Sequence, residues 1–182
     1  MIFTKACEYG IRASIYIAQQ SLLDRKVNLK EISEAIESPT AYTSKILQKL
    51  SRNSLINTDK GPTGGFSIDR VKLEKVKLSS IVFAIDGENI YHSCGLGLKK
   101  CNEKMPCPVH NQFKLIREEL KKMSDTTTIK SLALDFEKGL TFLKRWRKNI
   151  DMKSNNNPKM IRLELGNTFK VLQVTGSSGM NM

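Results

Sequence analysis

The segment between Leu29 and Ile68 constrains the fold most, because two short helical patterns in it lead directly into a hairpin pattern. Leu29 and Ile32 mark the first helix. The second restarts at Ser38-Pro39, where serine suits the N-cap and proline suits the first helical position. Two helices joined by a tight turn predict a helix-turn-helix. Many helical bundles have the same pattern, so the residues that follow it decide the class.

Two short strands around a glycine-rich loop follow the second helix. Leu55 to Thr58 and Phe66 to Ile68 are the predicted strands, and Asp59 to Gly65 (DKGPTGG) is the turn between them. A hairpin directly after a helix-turn-helix predicts a winged helix, so the expected fold is mainly α with a small β-wing. In that fold the second helix enters the major groove, and the wing reaches the DNA backbone or minor groove.

The second helix of the pair is predicted to run to about Asn53, with an apolar face and a polar face. The inner positions are Tyr42, Ile46, Leu47 and Leu50, and the outward positions are Ala41, Ser44, Lys45 and Gln48, with Lys49 beside them. Cations suit phosphates, Ser and Gln suit base edges, and Ala suits a thymine methyl group. An ordinary solvated face has the same composition, but the wing and a net charge of +12 favour DNA contact.

Apolar spacing predicts four further helices in the first 137 residues. They run from Thr4 to about Gln20, from Leu78 to Gly87, from Phe113 to Met123 and from Ile129 to Phe136. Cys7, in the first of them, is expected to be a small buried side chain.

Three of the four cysteines lie in one loop, Cys94 to His110 (CGLGLKKCNEKMPCPVH), with six residues in the first gap and five in the second. Thiolates and imidazole suit iron–sulfur clusters, zinc and copper(I). Structural zinc sites prefer closer cysteine pairs, and a disulfide would leave one thiol over. The spacing therefore favours an iron–sulfur site, while zinc and thiol redox chemistry stay open as alternatives.

Composition narrows the class of protein. The 182 residues are 40% hydrophobic, without an apolar run near the roughly 18 residues of a membrane span. The N-terminus MIFTKACEYG lacks a signal-peptide pattern. A reducing cytoplasm is therefore expected, where clustered cysteines are more often metal ligands or redox sensors than structural bridges. With two histidines and no catalytic constellation, no enzyme activity is expected.

Three features together resemble the Rrf-type family of bacterial winged-helix regulators, which includes IscR-like and NsrR-like repressors. They are the opening MIFTKACEYGIRA, the wing KGPTGGFSI and the cysteine loop ending in CPVH, and the resemblance covers roughly residues 1–135. It implies a homodimer that binds near-palindromic promoter DNA. It also implies a [2Fe–2S] or [4Fe–4S] cluster on three loop cysteines, whose state controls DNA binding.

Cys94, Cys101 and Cys107 match the family's cluster cysteines, with a first gap one residue longer than in IscR-like members. Two residues match the positions of a fourth ligand. One is His110, and the other is Glu8, supplied by the partner subunit's first helix. The alternatives are a helix cap for His110 and an ordinary helix-surface carboxylate for Glu8.

The resemblance also assigns the DNA-binding residues and the domains. Lys60, followed by Gly61 and Pro62, matches the wing cation, and Ser44 stands where IscR-like proteins have a glutamate, so a different operator is expected. The expected domains are a winged helix-turn-helix at 1–77, the cluster loop with a long dimerisation helix at 78–137, and a basic, partly disordered extension at 138–182.

The extension lies beyond the resemblance. It carries eight Lys or Arg and one Asp between Lys138 and Arg162, then a weak hairpin pattern around Gly166-Asn167. Its basic stretch would either contact phosphates or form a solvated helix. The whole chain is thus expected to be a homodimeric repressor controlled by an iron–sulfur cluster. The alternatives are a regulator with structural zinc or thiol-switch cysteines, and an adaptor that binds other proteins.

Overall fold

The computed structural model of the chain describes residues 2–61, 64–98, 101–137 and 143 in full, and only the backbone of 160–162 and 171–173. In chain order the elements are α1 (Lys5–Leu22), α2 (Leu29–Ala35), α3 (Thr40–Arg52), β1 (Asn57–Asp59), β2 (Gly65–Ser67), α4 (Arg70–Lys75), α5 (Leu78–Asp86), α6 (Asn89–His92), α7 (His110–Thr126), α8 (Ile129–Glu137), β3 (Met160–Arg162) and β4 (Val171–Gln173).

The chain divides into two compact units, Met1–Arg145 and Trp146–Met182. The second unit is described by the antiparallel backbone pair of β3 and β4, which agrees with the predicted C-terminal hairpin. Leu143 packs against the core of the first unit. Of the rest of the predicted basic stretch, the structure describes only the backbone of β3. The part of the extension predicted to be disordered lies outside the described residues.

The helix α1 is central to the first unit, since it packs against α3, α5 and α8. It begins as predicted, because the side chain of Thr4 accepts a hydrogen bond from the Cys7 backbone N–H at 3.2 Å. That bond satisfies one of the donors that a first helical turn leaves without a partner. Cys7 is completely buried, which confirms its expected role as a small core side chain.

The helix-turn-helix consists of α2 and α3. Asn28 and Glu31 form a capping box at the start of α2, with bonds of 3.0 Å and 2.9 Å between each side chain and the other's backbone N–H. The predicted N-cap of α3 is wrong. Pro39 holds that position in an extended conformation, and the helix begins at Thr40. Ser38 is therefore one residue too far out to cap the helix, and its hydroxyl bonds to Thr43 instead.

The inner face of α3 differs from the prediction at one position. Ile46, Leu47 and Leu50 are buried as expected, but Tyr42 is 38% exposed and Thr43 takes the inner place. The Thr43 hydroxyl donates to the Pro39 carbonyl at 3.1 Å, so its burial leaves no unsatisfied polar group. Tyr42 instead makes an edge-on contact with the ring of Tyr9, with centroids 5.9 Å apart.

The wing is the antiparallel pair of β1 and β2, with Thr58 opposite Phe66. Phe66 also exchanges two backbone hydrogen bonds with Val27, of 3.1 Å and 2.8 Å, so the hairpin is joined to the turn between α1 and α2. A Cβ at Gly64 would collide with the Asp59 carbonyl, which explains why this turn requires glycine. The predicted strands and wing are confirmed within about two residues at each boundary.

Three further helices lie next to the cysteine loop along the chain, two before it and one after it. α5 buries Ile81, Val82 and Ile85 and ends at Gly87, as predicted. The short α6 leads into the loop, and α7 leaves it and packs against α5 and α6. The helix α7 exposes much of its apolar surface, since Leu115, Ile116 and Met123 are 64%, 58% and 43% exposed. Among the described helices, none combines the length and the apolar character that a membrane crossing requires.

Candidate metal centre and nucleic-acid interface

The cysteine loop begins with a tight turn that surrounds the thiol of Cys94. Gly97 N–H donates to the Cys94 carbonyl at 2.9 Å, and the side chain of Cys94 is 8% exposed. The backbone N–H groups of Leu96 and Leu98 hydrogen-bond the sulfur and lower the pKa of the thiol, although burial acts in the opposite direction. Donors directed at sulfur stabilise a thiolate, which is the form that binds metals.

The four loop residues predicted as ligands form two pairs. The sulfurs of Cys94 and Cys107 lie 3.9 Å apart. The sulfur of Cys101 lies 3.3 Å from Nδ1 of His110. His110 is the first residue of α7 and is 5% exposed, and Val109 holds the N-cap position, so His110 does not cap the helix.

The two separations fit the chemistry of a tetrahedral metal. Two sulfurs bound at about 2.3 Å to one such ion lie about 3.8 Å apart, and a sulfur and a nitrogen lie about 3.5 Å apart. Each pair is close to the separation expected for two ligands of one metal ion. In the described part of the chain, no three His, Cys, Asp or Glu side chains converge on a single point that would hold an ion.

Two cations of α7 contact this loop, and neither was identified from the sequence. Arg117 donates to the sulfur of Cys101 at 3.4 Å and to the Ser93 carbonyl at 3.1 Å. Lys114 pairs with Glu103 at 2.7 Å, which lowers the pKa of that carboxyl and raises the pKa of the lysine. The helical spacing of seven residues between His110 and Arg117 is the signal that could have indicated a shared face.

Glu8, the other predicted ligand, lies near the start of α1. Its carboxylate pairs with Lys5, one turn before it, at 2.9 Å, and its side chain is 25% exposed. A role as a ligand to the partner subunit's cluster stays a prediction.

The predicted DNA-reading residues lie on the outer side of α3. Ala41, Lys45 and Gln48 are exposed, and Ser44 is half-buried beside them. Lys49 is also exposed, but its ammonium donates to the Ile85 carbonyl at 3.3 Å, at the end of α5. The described structure thus places one of the five predicted side chains in a contact between helices.

The predicted wing cation, Lys60, is exposed at the tip of the hairpin. Gly61 follows it with a φ of +105°, in the region that favours glycine. Pro62 lies outside the described residues.

The fold is a helix-turn-helix followed by a hairpin wing, and its second helix exposes small, polar and cationic residues. These features define a winged-helix DNA-binding protein. Residues 3–135 match the model of the Rrf2 family, described as an iron-dependent transcriptional regulator, and the chain belongs to that family. The family and its relatives are transcriptional regulators and not enzymes. The predicted family is confirmed.

Curated relatives agree with this assignment. An HTH-type transcriptional regulator of Aquifex aeolicus (strain VF5) is 30% identical over 142 residues, which cover 77% of this chain and 96% of the relative. The HTH-type transcriptional regulator IscR of Yersinia pseudotuberculosis is 23% identical over 132 residues, which cover 72% of this chain and 79% of IscR.

Solved structures support the fold. CymR, described as the global cysteine regulator of B. subtilis, has a TM-score of 0.59 at 18% identity and covers 72% of this chain and 95% of its own. IscR of T. potens has a TM-score of 0.58 at 17% identity and covers 76% of this chain and 90% of its own. At these identities the likeness shows the fold alone, and it confirms the predicted winged-helix class.

Proposed function

We propose that this regulator is a homodimeric repressor whose affinity for promoter DNA is controlled by a [2Fe–2S] cluster bound at Cys94, Cys101, Cys107 and His110. The pairing of the four side chains carries this proposal. In a two-iron cluster each iron takes two protein ligands, whereas in a four-iron cluster each iron takes one. The separation between Cys94 and Cys107 suits two ligands on one iron. The separation between Cys101 and His110 suits two ligands on the other iron.

The donors of the loop also suit a sensor. The N–H groups near Cys94 hold a thiolate in place, and hydrogen bonds to sulfur adjust the reduction potential of such a centre. An imidazole in place of a fourth thiolate raises that potential, as in Rieske centres. The cluster, when bound, would supply one-electron chemistry and lability towards oxidants, in the reducing cytoplasm expected for this chain.

Composition analysis and spectra of anaerobically purified protein test the proposal. About two irons and two sulfides per chain, with a visible absorption band, are expected. Cys101→Ala should remove the band, while Cys7→Ala, the same substitution at the buried cysteine, should keep it. One zinc per chain without any visible band would overturn the proposal. About four irons per chain would overturn the two-iron assignment.

Packing suggests how the cysteine loop is coupled to α3, the helix that we propose reads DNA (the reading helix). The loop continues through α6 into α5, and α5 packs against α1 and α3. Lys49 of α3 donates to the Ile85 carbonyl at the end of α5, and Asp86 accepts a bond of 2.6 Å from the hydroxyl of Thr4 at the start of α1. A change in loop conformation would therefore move the end of α5, and with it the two helices bonded to it.

Dimerisation would convert that movement into a change in DNA affinity. The exposed apolar residues of α7, Ile116 and Met123, and Phe83 of α5, which is 57% exposed, provide a surface for a second copy. Two reading helices held about one turn of DNA apart would lose affinity when their separation changes.

A second candidate function is a thiol switch, which the separation of 3.9 Å between Cys94 and Cys107 and the lowered pKa of Cys94 both favour. Oxidation would join the two sulfurs and transfer two electrons and two protons to an oxidant such as a peroxide. A metal-free protein that loses a pair of titratable thiols reversibly, with a matching change in DNA affinity, would favour the switch over the cluster.

A further inference from the structure

The guanidinium of Arg117 joins the residue before the cysteine loop to the middle of that loop. One nitrogen donates to the Ser93 carbonyl at 3.1 Å, directly before the first loop cysteine. Another donates to the sulfur of Cys101 at 3.4 Å. An arginine suits this role because its planar group presents several donors in a fixed arrangement, which a lysine cannot do.

His110 and Arg117 approach the same sulfur from one helix. They are seven residues apart on α7, which is close to two full turns, so they share a face. The His110 ring lies 3.3 Å from the Cys101 sulfur, and Arg117 lies 3.4 Å from it. The sulfur of Cys101 therefore has one neighbour that could bind a metal beside it and one that can only donate hydrogen bonds.

A fixed cation and an N–H donor at a ligand sulfur favour the more negative, reduced form of the centre that it holds. Hydrogen bonds to sulfur and local charge are among the determinants of the reduction potential of iron–sulfur clusters. Residues that orient metal ligands also affect retention, since their replacement typically costs 10- to 100-fold in metal affinity.

We infer that Arg117 is a positioning residue of the proposed cluster site. It holds the sulfur of Cys101 beside His110 and raises the reduction potential of the centre bound there. The inference rests on the proposed cluster-binding function. It assigns no ligand role to Arg117. In the reduction itself one electron enters from an external one-electron donor, and no bond to Arg117 forms or breaks.

The test compares Arg117→Gln and Arg117→Lys with the wild type and with Lys114→Gln as a matched control. Lys114 lies on the same helix and also bonds the loop, through Glu103, but it contacts no cysteine in the described structure. Each protein is loaded anaerobically with iron and sulfide. Its reduction potential is then measured with dithionite and mediator dyes, and its rate of iron loss with an iron chelator.

Arg117→Gln is expected to lower the reduction potential and to accelerate iron loss by about 10-fold. Arg117→Lys should recover part of the potential because it keeps the charge, and Lys114→Gln should keep the wild-type potential. Arg117→Lys also keeps the test available if the glutamine variant does not fold.

An unchanged potential in both Arg117 variants would overturn the inference, as would an equal shift in Lys114→Gln. If the wild type itself takes up no cluster, the proposed function fails first. That result is distinguishable because it does not depend on any variant.

Discussion

Cys7 and Cys94 acquire opposite chemistry from their surroundings. Cys7 is completely buried in α1, where burial and then the carboxylate of Asp86 raise the pKa of its thiol to about 12. Cys94 lies in a turn whose N–H groups lower the pKa of its thiol. A thiol that stays protonated is neither a nucleophile nor a metal ligand. Cys7 therefore belongs to the core, and Cys94 is suited to bind a metal.

Replacing Cys7 by alanine is expected to reduce the alkaline pH dependence of the free energy of unfolding. The pKa of Cys7 in the folded protein lies above its ordinary value of 9.0, so the thiol ionises first in the unfolded chain. Above pH 9.0 the unfolded state therefore binds fewer protons than the folded state. In this range the Cys7 thiol lowers the free energy of unfolding by about 1.4 kcal/mol for each pH unit. At lower pH both states are protonated, and Cys7 contributes no pH dependence.

Urea denaturation of the reduced, metal-free protein between neutral pH and about pH 10 measures this slope. Cys107→Ala is the matched control, because it removes a thiol from the loop rather than from the core. Equal slopes for the wild type and Cys7→Ala would contradict the raised pKa of Cys7.

Residue type and spacing predicted the cysteines' locations but not all of their contacts. Cys7 was correctly predicted to be buried because it lies within an apolar helical pattern. The donors to Cys94 depend on the backbone angles of the turn around Gly97, which residue types alone do not fix. The contact between Arg117 and Cys101 joins residues 16 positions apart through side-chain conformations that no local pattern encodes.

At the scale of elements, α3 shows where apolar periodicity fails as a guide. Tyr42, Ile46 and Leu50 recur every fourth residue, so the pattern placed all three inside. The structure buries Thr43 instead, because its hydroxyl finds partners at Pro39 and Ser38. A count of apolar residues cannot include a polar group that is satisfied on burial. The helix itself was predicted correctly because its other inner positions are unambiguous.

The close packing of α1 against α3 and α5 depends on Gly10. A Cβ at this position would overlap Cδ1 of Ile85 and would lie 3.3 Å from Cγ2 of Ile46. Gly10→Ala is therefore expected to destabilise the protein by about 1–3 kcal/mol through overpacking. On helix propensity alone the same change would be stabilising by about 1 kcal/mol, so the sign of the effect separates the two causes in urea denaturation.

A double-mutant cycle provides the control for Gly10. Ile85→Val removes the Cδ1 atom that the new methyl group would overlap, so Gly10→Ala should cost less in that background. The same cost in both backgrounds would show that the contact with Ile85 is not responsible.

The helix α3, which is predicted to contact DNA, supports a prediction about DNA affinity. Lys45 is exposed on α3, and Lys45→Ala should weaken binding to duplexes selected for the wild-type protein. It should also reduce the slope of log affinity against log salt by about 1, if Lys45 neutralises one phosphate. Lys75→Ala is the matched control, because Lys75 is also exposed but lies on α4. It should leave the DNA affinity and the salt slope unchanged. An unaltered affinity in Lys45→Ala would remove this residue from the interface.

At the scale of the whole molecule, three surfaces have distinct compositions. The outer side of α3 and the tip of the wing are small, polar and cationic, in keeping with the net charge of +12. The cysteine loop carries the thiols and the imidazole that we propose as metal ligands. The helix α7 is the third surface. It begins with His110 at the cysteine loop and exposes apolar residues further along, so it connects the loop to a surface that could bind a second copy. If a second copy bound along α7, a change in the cysteine loop would therefore alter the arrangement of the two copies.

Ile116→Asp tests that arrangement directly. Ile116 is 58% exposed on α7, so a carboxylate there should leave the monomer folded while it destabilises an apolar interface between two copies. Sedimentation velocity should show monomers at concentrations where the wild type is expected to form the proposed dimer. Affinity for a palindromic duplex should fall on the order of 100-fold, because the two half-sites would no longer be bound by one linked pair.

Val71→Asp is the matched control, because Val71 is similarly exposed, at 63%, but lies on α4 and not on α7. A dimer that persists in Ile116→Asp with unchanged DNA affinity would exclude Ile116 from the interface.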